Sequence, residues 1–77
     1  DTLVDPKTQL QELVQEKEKE TPMYRLVRAE GPDHNKTFTV EVYWQDLVRG
    51  TGSGRSKKAA EQAAAKEALD RITVINA

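Results

Sequence analysis

Between Ser56 and Ile72 the chain carries Ala60, Ala64 and Ala68 at intervals of four, flanked by a second row of Ala65, Leu69 and Ile72. On a helix each row lies along one side. Side chains this small let a helix lie close against a sheet, so the chain is expected to contain one. Thr37 to Trp44 reads as its clearest strand. Phe38, Val40 and Val42 alternate there with Thr39, Glu41 and Tyr43, the period-two pattern of one apolar and one polar face.

The remaining elements follow from punctuation and periodicity. Pro6 suits a first helical position, with Asp5 before it as cap. Leu10, Leu13 and Val14 continue a helix to about Lys19, and Thr21-Pro22 ends it. Met23 to Glu30 reads as a strand with Tyr24 and Leu26 on one face. Gly31-Pro32-Asp33-His34-Asn35 has turn composition, and Gln45-Asp46 is a short turn. Leu47 to about Ser53 reads as a third strand that dissolves into glycines, which are expected to let the backbone turn tightly into the last helix. Short connections make the strands an antiparallel meander. The expected fold is α+β, in the order α-β-β-β-α, a three-stranded antiparallel sheet with both helices packed on the face of Phe38, Val40 and Val42. Residues 1–5 are expected to be a linker or tail, 6–72 the domain, and 73–77 a C-terminal tail.

A chain of 77 residues holds one domain with a thin core and little room for a catalytic cleft. It has no cysteine, and His34 is its one histidine, so neither a disulfide framework nor a thiolate or histidine metal cluster is expected. No apolar run approaches membrane-spanning length. The first residue is Asp1 rather than methionine, and the chain reads as a piece of a longer protein.

The net charge of −1 argues against a nucleic-acid partner, but the charges are unevenly placed. Arg49, Arg55, Lys57 and Lys58 fall between Arg49 and Ala60 with no acid among them, while the other segments carry 8 basic and 13 acidic side chains, a balance of −5. The chain is an acidic body with one basic corner, and the local field decides where a ligand docks.

That corner breaks a local rule. Ser56 is a good N-cap, which puts Lys57 and Lys58 in the first helical turn, where the helix dipole opposes cations by roughly 0.3–1 kcal/mol each. Free N–H groups, a hydroxyl and several cations together make an anion site, for which phosphate is the obvious occupant; Arg55 and Arg49 would extend it. The competing reading is a solvated charged turn. The glycines do not make a nucleotide loop. Counted from Gly50, both the Walker pattern and the dinucleotide fingerprint require a glycine at Arg55, and no strand follows the last helix.

On the first helix Thr8, Gln11, Glu12 and Gln15 lie opposite Leu10, Leu13 and Val14. Amide and hydroxyl groups of this kind can meet ribose hydroxyls and base edges in a shallow RNA minor groove, or can simply be solvated. His34, with Lys36 nearby, reads on its own as a plain loop residue.

Taken in order, several stretches resemble the double-stranded-RNA-binding domain, most closely the one at the C-terminus of bacterial ribonuclease III. They are Lys7-Thr8-Gln9-Leu10-Gln11-Glu12, Tyr24, Gly31-Pro32-Asp33-His34 with Phe38, and the run from Gly50 through Ser56-Lys57-Lys58 to Ala60-Glu61, Ala64-Ala65 and Ala68-Leu69. The resemblance implies a module spanning about 16 base pairs through two minor grooves and the major groove between them. It would set Thr8, Gln11, Glu12 and Gln15 in one minor groove and Pro32 and His34 in the next. Arg55, Ser56, Lys57 and Lys58 would cross the phosphates, with Gln62 at the edge. One departure is Ala59, where many ribonuclease III members carry Glu, so a full capping box is not expected.

The resemblance implies no catalytic residue and no cofactor in this segment. The parent protein would be a metal-dependent endoribonuclease, using Mg2+ in a separate catalytic domain and pairing as a homodimer in the cytoplasm. The segment itself would be monomeric, with double-stranded RNA as partner and no membrane. The alternative is a protein-interaction or dimerisation module of the same fold without RNA binding, using the outer strand face at Tyr43, and at Trp44 if that residue is not core.

Overall fold

The computed structural model describes residues 5–76. Helix α1 spans Pro6–Glu18 and strand β1 spans Met23–Glu30. A single 3₁₀ turn at Asp33–Asn35 leads to β2, Thr37–Trp44, then β3, Leu47–Gly54, and helix α2, Lys57–Asn76. The strands form one antiparallel sheet in the order β1-β2-β3. This is the expected α-β-β-β-α architecture.

The helix starts are capped as their sequences suggest. Asp5 is extended, and its Oδ1 accepts the Thr8 N–H at 2.8 Å. At the other end Lys19 turns left-handed (φ 58°) and donates its N–H to Gln15 O, ending α1 at Glu18. In the β2–β3 hairpin both loop residues, Gln45 and Asp46, have positive φ. A two-residue loop needs that to match the twist of its strands.

The core sits between sheet and helices. Leu10 and Val14 of α1, Val40, Val42 and Trp44 of β2, and Ala60, Ala64, Ala65 and Ala68 of α2 are buried. Tyr24, Phe38, Leu69 and Ile72 are half-buried around them. Helix α2 lies against β2 and β3, and α1 against α2. β1 is the edge left less covered, and a bulge between Leu26 and Arg28 shifts its register. Leu26 shares the face of Val40 yet stays 41% exposed.

Several expectations change. The glycines do not turn the chain into α2. Gly50, Gly52 and Gly54 lie within β3, none with positive φ, and all on the face toward α2. A Cβ on Gly52 would meet Ala64 N at 2.2 Å, and one on Gly50 would meet Ala64 O at 2.5 Å. Glycine is used there so that the strand backbone can approach a helix whose own facing residues are alanines. Trp44 is core, and its Nε1 donates to Glu18 Oε1 at 3.0 Å, so the outer surface imagined at Tyr43 and Trp44 loses its larger half. Arg25 covers Tyr43, its guanidinium 5.0 Å from the ring centre. Helix α2 runs past Ile72 to Asn76. Of the expected tails, residues 1–4 and Ala77 lie outside the described residues, and Asp5 is the α1 cap.

Candidate nucleic-acid interface

The start of α2 has the geometry of an open anion site. Ser56 Oγ accepts the Ala59 N–H at 3.0 Å, and Ser56 O accepts the Ala60 N–H at 3.0 Å. The amides of Lys57 and Lys58 are left at the unsatisfied end of the helix. Ala59 at the third position has no side-chain oxygen to return to the Ser56 N–H, so one half of a capping box is present. Arg55, Ser56, Lys57 and Lys58 are all exposed.

What distinguishes this corner is how charge is sorted elsewhere. Six cations are held by carboxylates: Lys7 by Glu61, Arg25 by Glu41, Arg28 by Glu30, Lys36 by Asp33, Lys66 by Asp70 and Arg71 by Glu67. Among the described residues Arg55, Lys57 and Lys58 enter no such pair; Lys17 and Lys19 enter none either, but they alternate with Glu16, Glu18 and Glu20 at the end of α1, whereas the segment from Arg49 to Ala60 holds no acid. Arg49 does not join the Arg55 corner. It lies over the Trp44 ring at 4.9 Å and donates to Trp44 O and Gln45 Oε1 at the hairpin end. Six positions along an extended chain put it roughly 20 Å from Arg55.

The β1–β2 loop comes beside the corner. Pro32 O accepts the Asn35 N–H at 2.9 Å, which closes the 3₁₀ turn and leaves Pro32 and His34 exposed. His34, Lys36, Phe38 and Arg55 line one open groove of about 570 Å³. Loop and helix start are thus neighbours.

On α1, Thr8, Gln11, Glu12 and Gln15 are all exposed, as the helical spacing predicts. Gln15 Oε1 accepts weakly from Thr21 Oγ1 at 3.5 Å. Glu12 turns toward the groove between the helices, together with Lys66 and Asp70.

Gln62, expected at the edge of the surface, is half-buried and bonded within the protein. Both ends of its amide are engaged by the first turn of α1: Oε1 accepts the Lys7 N–H at 3.1 Å, and Nε2 donates to Asp5 Oδ2 at 2.9 Å. Hydrogen bonds from Thr8 and then from Gln62 hold the Asp5 carboxyl below its usual range. Beside this bridge Lys7 pairs with Glu61 at 2.6 Å and sits 4.8 Å from the centre of the Tyr24 ring. Tyr24 Oη is buried with no hydrogen-bond partner among the described residues. Burial, then the charges of Glu61 and Asp5, push its pKa up to about 12. These partners are 54 to 57 residues apart in sequence, and no local pattern announces them.

Among the described residues no group of three or more His, Cys, Asp or Glu side chains is placed to hold a metal ion, and no helix is long and apolar enough to cross a membrane.

Comparison with known proteins gives one consistent picture. Residues 6–72 match the family described as "Double-stranded RNA binding motif". The chain is 54% identical over 69 residues to the protein named Ribonuclease 3 of Dehalococcoides mccartyi, covering 90% of this chain and 29% of that protein. It is 57% identical over 68 residues to the Ribonuclease 3 of Syntrophobacter fumaroxidans, covering 88% of this chain and 28% of that one. The chain therefore spans under a third of these relatives. Among solved structures it is similar to that of Arabidopsis HYL1, with a TM-score of 0.75 and 37% identity, over 88% of this chain and 96% of the other.

Proposed function

Since the chain belongs to the double-stranded RNA binding motif family, we propose that it is a non-catalytic module that docks on duplex RNA by shape, through two minor grooves and the phosphates between them. The observation that carries this reading is the sorting of charge. Six cations are paired with carboxylates and Lys17 and Lys19 lie among glutamates in sequence, while Arg55, Lys57 and Lys58 stand exposed and, among the described residues, unpaired at an open helix N-terminus in an acid-free stretch. A chain of net charge −1 with such a corner presents a directed anion site rather than a diffuse basic surface.

In this reading Arg55, Ser56, Lys57 and Lys58 hold phosphates and supply most of the affinity. Thr8, Gln11, Glu12 and Gln15 meet ribose hydroxyls and base edges, Glu12 facing a hydroxyl or base amino group rather than phosphate. Pro32 and His34 reach the second minor groove. The relatives named Ribonuclease 3 support a place beside a ribonuclease III catalytic domain elsewhere in the parent protein. The module would position duplex substrate for that domain. The carboxylates and Mg2+ of cleavage, homodimer pairing and a cytoplasmic setting belong to the parent in this proposal, and the isolated module is a monomer.

The test is the double substitution Lys57→Ala/Lys58→Ala. Duplex RNA affinity is expected to fall at least about tenfold, and the slope of log K against log salt by roughly 2, one for each lost phosphate contact. Folding stability should hold or rise slightly, because two cations leave the positive end of the helix dipole. Unchanged affinity would remove the phosphate site from the reading.

A further inference from the structure

Two of the proposed contact regions sit on different helices, and their relative placement is a structural problem in itself. The only long-range polar bridge seen between the described parts of α1 and α2, apart from the Lys7–Glu61 ion pair, runs through Gln62. Its amide accepts from the Lys7 N–H and donates to Asp5 Oδ2, while Asp5 Oδ1 accepts the Thr8 N–H. Lys7 and Thr8 are in the first turn of α1, whose amides have no partner within the helix. A side chain of α2 therefore completes the cap of α1.

The bridge also has a sense. If the Gln62 amide were reversed, its NH2 would face the Lys7 N–H and its oxygen would face the Asp5 carboxylate. Only one orientation satisfies both neighbours. Gln62 lies one turn beyond Lys58, on the same side of α2. Asp5, at the other end of the bridge, is bonded to the backbone of Thr8. Two hydrogen bonds thus join α2, one turn beyond the phosphate corner, to Thr8, the first residue of the proposed minor-groove face.

We infer that Gln62 and Asp5 are positioning residues that fix the α1 face against the α2 phosphate site, and that Gln62 acts through Asp5 and the first turn of α1 without touching RNA. This rests on the duplex-binding reading above. Binding to a rigid A-form duplex rewards parts already held in register.

The experiment reverses the bridge. In Asp5→Asn/Gln62→Glu, the new Asn Oδ1 still caps Thr8 and its Nδ2 donates to the new carboxylate, whose other oxygen accepts from Lys7. Every bond is kept, two of the groups exchange roles, and the net charge is unchanged. Asp5→Asn, Gln62→Glu and the double variant are compared with the parent chain by fluorescence anisotropy on one RNA duplex and the matching DNA duplex. The angle between α1 and α2 is followed without RNA by residual dipolar couplings.

Each single variant is expected to weaken RNA binding by about fivefold or more through lost preorganisation and to narrow the preference for RNA over DNA. The double variant is expected to return both to within about twofold of the parent. Asp5→Asn is decisive on charge, because removing an acid would tighten binding if electrostatics alone mattered. Tighter binding by Asp5→Asn, single variants that bind as the parent does, or a Gln62→Glu defect that Asp5→Asn fails to rescue, would each overturn the inference. If the parent chain failed to bind duplex RNA while the helix angle shifted in the singles and recovered in the double, the duplex-binding reading would fall and the bridge would stand as a positioner of the helices.

Discussion

Gly52→Ala probes the contact on which the two layers depend. A methyl group at this position would lie 2.2 Å from Ala64 N, 2.5 Å from Ala63 C and 2.6 Å from Ala63 Cβ. Ordinary contact begins at 3.4 Å, so the nearest pair must part by 1.2 Å. Two of the obstructing atoms are helix backbone, and no rotamer change can clear them. Lifting α2 would loosen Ala60, Ala64, Ala65 and Ala68 together, all at most 1% exposed. A radial gap of about 0.5–1 Å already forfeits a quarter to a half of each dispersion well. Overpacking usually costs about 1–3 kcal/mol, and a backbone obstruction sits at or above the top of that range. The lower entropy of the unfolded alanine chain returns about 0.4–1 kcal/mol. The net expectation is a loss of about 2–4 kcal/mol, a large part of the total stability of a domain this size. Urea unfolding followed by the fluorescence of the single tryptophan, Trp44, reads it directly. With a slope near 1 kcal/mol/M, the midpoint should fall by about 2 M or more. Gly50→Ala should rank next and Gly54→Ala mildest, since the nearest atom to the last is the Ala59 methyl, at 2.7 Å. A Gly52→Ala protein within about 0.5 kcal/mol of the parent would refute the close-approach reasoning.

Tyr24 should make stability sensitive to alkali. Its folded pKa of about 12 lies above the ordinary 10.0, so the folded state keeps the proton longer; the stabilisation is complete below pH 10 and lost as pH rises toward 12. Tyr24→Phe should abolish that dependence and, by deleting a buried hydroxyl without a partner among the described residues, be neutral or stabilising by up to about 1 kcal/mol at neutral pH; thermal melts across the range would show it. In the β2–β3 hairpin, Asp46→Gly relieves a positive φ of 63° and should raise stability by about 0.5–1 kcal/mol, measured by the same urea titration. An unchanged midpoint would mean that the left-handed turn carries no strain at Asp46.

Local features were readable because they obey local periods. The alternation of β2, the alanine rows of α2, and the caps at Asp5 and Ser56 each rest on contacts within a few residues. One misreading and one open alternative had a visible remedy. Gly50, Gly52 and Gly54 recur at the period of a strand, and that spacing already placed them on one face. Trp44 continues the row of Phe38, Val40 and Val42, which marked it as core. Proximity in sequence groups Arg49 with Arg55, although an extended strand separates charges far more than a helix does. The β1 bulge and the bridge through Gln62 had no such signal. Both depend on partners from distant elements, and only packing reveals them.

An NMR titration of the chain with an RNA duplex of about 16 base pairs addresses duplex docking most directly. Amide shifts at Gln11, His34 and Lys57 should appear together and saturate at one stoichiometry, with weaker effects from the matching DNA duplex. Shifts absent from all three, or equal for RNA and DNA, would contradict docking by A-form shape.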